Sequence, residues 1–144
     1  MLIKLVFVGK LKDKFMQSRS DEYIKWLRNG NKVEVIELAD STKEKEGEAI
    51  KKVLEKEKGF NILLSEEGKL FNSIEFANYL GKIDKKIVFV IGGPYGLSNE
   101  VKKEANLLLS LSPLTFTHEL ARLLLSEQLF RASNILAGGN YHNI

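Results

Sequence analysis

The sequence predicts an α/β fold in which helices cover both faces of a mostly parallel sheet. Short apolar runs alternate with amphipathic stretches along the chain. The apolar runs also lack the alternation of a sheet that has one solvated face. A length of 144 residues suits one domain with a sizeable core, so we expect a single domain over residues 1–144. The predicted strands are 3–8, 33–38, 60–64, 87–91 and 107–111.

Five helices are predicted between and after these strands, and most have a recognisable start or end. Ser41 and Asn72 each precede a glutamate by three residues, which is the spacing of a capping box. Ser98 or Asn99 is expected to cap the fourth helix, and the glycine pair 138–139 to end the fifth. The predicted helices are 14–28, 43–58, 74–80, 99–105 and 118–136.

The last predicted helix is apolar on two sides. Such a helix is either fully buried, or packs on the sheet with one side and on a partner with the other. In a chain this small we favour a subunit interface and predict a symmetric homodimer built on this helix. The broad apolar face comprises Ala121, Leu124, Leu125, Leu129, Ala132, Ile135 and Leu136, and the second side Leu120, Leu123 and Phe130.

Composition excludes several classes of chemistry. The chain has no cysteine, which excludes disulfides, thiol catalysis and zinc–thiolate sites. Its two histidines cannot form a three-histidine metal centre, so no metal is expected. No apolar run approaches the roughly 20 residues that span a bilayer, so we expect no membrane association and a cytoplasmic protein. With so little reactive chemistry of its own, the chain is expected to bind a partner or to use a cofactor.

The small net charge of +3 is concentrated near the amino terminus. Residues 1–32 hold eight basic and three acidic side chains, which gives +5. Lys10, Lys12 and Lys14 form a spaced basic cluster within this segment. Two interpretations remain open at this point: a solvated loop and helix face, or an edge that contacts phosphates.

Three loops at predicted strand ends are candidates for a binding site. Residues 92–96 (GGPYG) follow a buried strand and allow close approach of the backbone to a ligand. Their spacing matches neither a dinucleotide fingerprint nor a phosphate-binding loop, so a simple tight turn remains an alternative. Residues 111–116 mix apolar side chains with hydroxyls, which suits an adenine- or thioether-bearing ligand. Residues 64–68 could complete the pocket.

Several stretches together carry a resemblance to a known family. They are 90–98 (VIGGPYGLS), 109–122 (LSLSPLTFTHELAR), 127–132 (EQLFRA) and the pair Tyr141-His142. Residues 8–12 and 63–69 match the same family. The chain resembles the RlmH family of SPOUT-class methyltransferases, which methylate N3 of a pseudouridine in helix 69 of 23S ribosomal RNA. The resemblance covers essentially the whole chain.

The resemblance implies a SPOUT-type sheet with a carboxyl-terminal trefoil knot, and a homodimer with its active site at the interface. It also implies S-adenosylmethionine, held at the three strand ends chosen above. The sequence departs from the family pattern in three places: Thr117, where Pro is common; Asn143, where a basic residue usually follows the Tyr-His pair; and the segment 40–59, which is shorter than in many relatives. The implied cofactor residues are Leu64, Gly92, Leu111, Ser112, Pro113, Leu114, Thr115 and Phe116.

Methylation of an imide nitrogen requires a group that removes its proton. His142 is the predicted general base, because imidazole titrates near neutral pH. Tyr141 is expected to stack on the target base or on a flanking base. Arg122 is assigned to RNA phosphate or active-site contacts, and Lys10 and Lys12 to RNA contacts.

A small domain with so little basic surface is expected to act on 23S rRNA within the ribosome, where the folded RNA supplies the shape that is recognised. Two alternatives are a SPOUT methyltransferase for another RNA such as tRNA, and a non-catalytic ribosome-associated binding module.

Overall fold

The computed structural model describes residues 1–143, which form a five-stranded sheet flanked by five helices. Every strand pairs in parallel with its neighbours, in the order β2-β1-β4-β3-β5. This confirms the predicted fold class; the trefoil knot stays a prediction. The strands are β1 (Leu2–Val8), β2 (Lys32–Leu38), β3 (Phe60–Leu70), β4 (Ile87–Ile91) and β5 (Leu107–Ser110).

Helices lie on both faces of the sheet, as predicted. Alternate residues of β1 point to opposite faces. Leu5 and Phe7 pack against α1, α3 and α5, whereas Val6 and Val8 pack against α2 and α4. Because both faces are covered, β4 is apolar and buried throughout, and Lys4 is the one charged residue of β1. The helices are α1 (Lys14–Leu27), α2 (Lys43–Glu57), α3 (Ser73–Gly81), α4 (Asn99–Lys102) and α5 (His118–Leu136).

The helix ends confirm most of the predicted capping signals. Asn72 forms a complete capping box at the start of α3, and Ser98 caps α4. Gly138 has a φ of +75° just after α5, a conformation that favours glycine. The prediction for α2 was wrong: Thr42 caps it, while the Ser41 amide donates to the Glu46 carboxylate.

β3 is longer than predicted, because it continues past an irregularity to Leu70. Leu109 of β5 pairs with Leu64 and again with Lys69, so four residues bulge out of the ladder between them. Within this bulge, a Cβ on Gly68 would lie 2.6 Å from the Leu108 carbonyl. The segment predicted as a loop at the end of β3 is therefore a bulge inside it.

The buried arc of α5 differs from the predicted apolar face. Leu125 and Leu129 are buried as predicted, whereas Leu136 is 43% exposed. Arg122 and Ser126 are buried instead. Their burial is possible because each has polar partners, which a count of apolar residues does not reveal.

The second side of α5 is partly covered within the same chain. The Phe130 ring packs against Tyr23, Trp26 and Tyr141, with ring centroids 6.4, 5.4 and 4.8 Å away. Leu120 and Leu123 remain half-buried. The homodimer predicted from this side stays a prediction. Within residues 1–143, no helix combines the length and the apolar character needed to cross a bilayer.

Candidate functional site

A cleft of about 830 Å³ lies at the carboxyl edge of the sheet, where the three predicted loops converge. Its walls come from the bulge of β3, the loop after β4, the loop after β5 and the start of α5. The predicted cofactor residues that line it are Leu64, Gly92, Leu111, Ser112, Leu114, Thr115 and Phe116. Pro113 lies in the same loop but is not among the lining residues.

The glycine-rich loop after β4 folds back on itself as a tight turn. The Gly96 amide donates to the Gly93 carbonyl at 2.9 Å, and Gly96 has a φ of +75°. A Cβ on Gly92 would lie 2.9 Å from the Leu97 side chain and 3.0 Å from the Gly96 backbone. Glycine at position 92 therefore lets this turn close and keeps the backbone beside the cleft.

Hydrogen bonds tie the loop after β5 to the bulge of β3. The Thr115 hydroxyl donates to the Glu66 carboxylate. The Ser110 hydroxyl lies 3.2 Å from the Glu66 carbonyl and 2.9 Å from the Ser112 carbonyl. The Leu114 amide donates to the Ser112 hydroxyl at 3.0 Å. Two walls of the cleft are thus held together before any ligand enters.

Tyr141 and His142 lie outside this cleft. His142 lines a second cleft of about 580 Å³, between the start of α3, the end of β5 and α5. The two clefts share Leu109, Leu111 and Phe116 as lining residues. The predicted cofactor residues and the predicted base therefore lie on neighbouring clefts separated by a common wall.

The segment that carries Tyr141 is folded back on α5. The Tyr141 amide donates to the Asn134 side chain at 3.0 Å, and its hydroxyl donates to Glu127 at 3.1 Å. The Arg131 guanidinium lies 4.8 Å from the centre of the Tyr141 ring. Burial, together with nearby Tyr23 and Glu127, raises the pKa of Tyr141 to about 12. The phenol is therefore neutral at physiological pH.

His142 is held by Arg131, whose Nη1 lies 3.0 Å from His142 Nδ1. A guanidinium can only donate hydrogen bonds, so Nδ1 is the acceptor and Nε2 of the neutral ring carries the proton. Arg131 is itself paired with Glu127. Within residues 1–143, no group of three or more metal-ligating side chains is found.

Arg122 points into the protein interior. Its side chain is 10% exposed, and its Nη1 lies 2.7 Å from Glu37 Oε2. The guanidinium also lies 4.2 Å from the centre of the Phe7 ring. The RNA contact of Arg122 stays a prediction. What the structure shows is an ion pair between Arg122 and Glu37 inside the fold.

Lys10 and Lys12 are exposed in the loop after β1. The Glu119 carboxylate at the start of α5 anchors this loop by accepting from the amides of Lys12, at 2.6 Å, and Asp13, at 3.1 Å. Hydrogen bonds from the Asp13 and Lys12 amides hold the pKa of Glu119 below its usual range. Glu119 also lines the cleft of about 830 Å³, so the basic loop lies beside that cleft. No local sequence signal predicts this anchor, because its partners are more than 100 residues apart.

The sequence matches a known protein family and its members over nearly the whole chain. A family model described as "Predicted SPOUT methyltransferase" matches residues 1–142. A protein of Thermodesulfovibrio yellowstonii named ribosomal RNA large subunit methyltransferase H is 48% identical over 143 residues, covering 96% of this chain and 97% of that protein.

Two solved structures are similar in fold. A probable methylase family protein from Haemophilus influenzae has a TM-score of 0.61 and 13% identity, covering 99% of this chain and 70% of that one. The SpoU methyltransferase AviRb from Streptomyces viridochromogenes, solved with AdoMet, has a TM-score of 0.53 and 11% identity, covering 96% of this chain and 59% of that one. The family match and the close relative identify this chain as a member of the SPOUT methyltransferase family.

Proposed function

We propose that this protein methylates large-subunit ribosomal RNA with S-adenosylmethionine as the methyl donor. The observation that carries the proposal is the convergence of three loops on one cleft at the carboxyl edge of a parallel sheet. The names of relatives at 42–48% identity support the RNA substrate. The AdoMet bound by a neighbour of the same fold supports the cofactor.

The residues of the cleft fit this cofactor. Leu64, Leu111 and Phe116 supply apolar walls for an adenine or a thioether, and the turn at Gly92 brings backbone groups to the rim. Of the two lysines that line the cleft, Lys102 is paired with Glu67 at 2.8 Å and Lys43 is exposed. When bound, S-adenosylmethionine supplies an electrophilic methyl group on its sulfonium.

The specific target that we propose is N3 of a pseudouridine in helix 69 of 23S rRNA, on the assembled ribosome. This nitrogen becomes nucleophilic when it loses its proton, and His142 is the proposed acceptor. Because Arg131 donates to Nδ1, either ring nitrogen can accept a proton only after that contact breaks. We therefore propose that substrate binding releases His142 from Arg131.

Tyr141 has a different proposed role. Its pKa of about 12 keeps the phenol protonated, so it is unsuited to act as a base near neutral pH. Its ring is instead proposed to contact a nucleobase by stacking. The proposed active unit is a homodimer, and the half-buried Leu120 and Leu123 on the outer side of α5 support an interface there.

The proposal is tested with purified protein, radiolabelled S-adenosylmethionine and ribosomes that lack the modification. We expect methylation of assembled particles, loss of turnover in His142→Ala, and nearly unchanged cofactor affinity in that variant by calorimetry. Cofactor binding with methylation of tRNA instead would favour a different RNA substrate. A lack of cofactor binding would favour a non-catalytic binding module. Equal activity on protein-free rRNA would exclude the requirement for the ribosome.

A further inference from the structure

An exposed aromatic side chain stands beside the basic loop. Phe15, the second residue of α1, is 88% exposed. At 100° per residue it lies about 180° around α1 from buried Ile24, so it faces away from the core. Leu11 fills the interior side of the adjoining loop. Phe15 therefore contributes little to the packing of its own subunit.

The surroundings of Phe15 are basic and lie close to the cofactor cleft. Lys12 and Lys14 are exposed on either side of the Asp13 cap. Glu119 anchors this loop to the start of α5 and lines the cleft as well. The loop follows the carboxyl end of β1, which pairs with β4, the strand that leads into the glycine-rich turn. Phe15 thus stands at the same edge of the sheet as the cleft.

We propose that Phe15 is a stacking platform for an unpaired nucleobase of the RNA substrate, while Lys12 and Lys14 contact the neighbouring phosphates. The inference rests on the proposed function, because it assumes an RNA substrate. Unpaired RNA bases stack on aromatic rings, and lysines bind the backbone that connects them. A second copy of this chain is disfavoured as the occupant, because a two-fold contact at this patch would bring two lysine clusters together.

The test compares Phe15→Ala and Phe15→Trp with a matched control, Leu2→Ala. Leu2 is 48% exposed but lies at the amino end of β1, on the opposite edge of the sheet. We expect Phe15→Ala to raise the KM for ribosomes about tenfold. Phe15→Trp should keep the KM within about twofold of wild type, because an indole also stacks. Leu2→Ala should leave the KM unchanged.

Salt dependence separates stacking from charge. Phe15→Ala should leave the slope of log affinity against log salt unchanged, whereas Lys12→Ala should reduce it by about one. Affinity for S-adenosylmethionine and sedimentation should match wild type in Phe15→Ala. A KM within twofold of wild type in that variant would overturn the inference. A shift toward monomer would overturn it too, and would show that a second copy covers Phe15.

Equilibrium binding to ribosomes is measured alongside methylation, so that two failures are distinguishable. Wild-type protein that neither binds nor methylates ribosomes would overturn the proposed function and the stacking role with it. Wild-type protein that methylates ribosomes while Phe15→Ala behaves identically would overturn the stacking role alone.

Discussion

The ion pair between Arg122 and Glu37 allows a test of whether Arg122 stabilises the fold or binds RNA. Glu37 is its carboxylate partner at 2.7 Å, and the Arg122 Nε is buried with no hydrogen-bond partner among residues 1–143. Removing the Glu37 charge would leave a buried, uncompensated cation. Removing the Arg122 charge would leave a carboxylate that water can reach. Removing the charge of Glu37 should therefore lower the free energy of unfolding more than removing the charge of Arg122.

The expected losses in the free energy of unfolding follow from how deeply each of the two side chains is buried. Breaking a fully buried pair from one side costs about 3–5 kcal/mol. Because the Glu37 side chain is 37% exposed, we expect Glu37→Gln to lower the free energy of unfolding by about 2 kcal/mol. Arg122→Met keeps an apolar stem over the Phe7 ring, so its expected cost is about 1 kcal/mol. The double variant should lose no more than Glu37→Gln alone.

The assay is urea unfolding of the three variants, with the KM for ribosomes measured on the same preparations. Strictly additive losses in the double variant would refute the structural reasoning, because they would show that the two charges do not interact. A severalfold rise in the KM of Arg122→Met with no change in unfolding would instead support the predicted RNA contact. A loss of stability with an unchanged KM would assign Arg122 to the fold alone.

Four further outcomes are expected. Gly92→Ala should weaken S-adenosylmethionine binding about tenfold by calorimetry, because the new Cβ would crowd the adjoining turn. Leu125→Ala should lower the free energy of unfolding by about 3 kcal/mol in urea titrations, since this side chain is fully buried. The raised pKa of Tyr141 stabilises the fold below pH 10, so the free energy of unfolding should fall as the pH rises from 10 to 12, and this fall should be smaller in Tyr141→Phe, which has no phenol to titrate. The lowered pKa of Glu119 stabilises the loop above the usual carboxyl range, so the protection factors of the Lys12 and Asp13 amides against hydrogen exchange should fall as the pH drops into that range, and should already be lower at neutral pH in Glu119→Gln.

Local signals predicted most of the secondary structure. β4 and α5 begin and end where the sequence indicated, because apolar runs and capping residues act over a few neighbours. The end of β3 was missed because the ladder resumes with Lys69 after a bulge, and the pairing partner Leu109 is forty residues away. Ser41 and Thr42 offer similar hydroxyls, and the choice between them depends on Glu46.

The position of the candidate site was predicted from the order of strands and helices along the chain. Parallel strands bring their carboxyl ends together, so the three loops could be expected to meet. The contacts that organise the surroundings join distant parts of the chain. Neither the pairing of Glu119 with the basic loop nor the inward turn of Arg122 toward Glu37 has a local sequence signal.

The wall of Leu109, Leu111 and Phe116 between the two clefts has a thermodynamic consequence. A ligand that fixes these side chains from one cleft changes the free energy of binding in the other, and such coupling is reciprocal. If a ligand in one cleft strengthens binding in the other by some factor, the second ligand strengthens binding of the first by the same factor. The affinities of the two clefts can therefore depend on each other through three apolar side chains, with no direct contact between the two ligands.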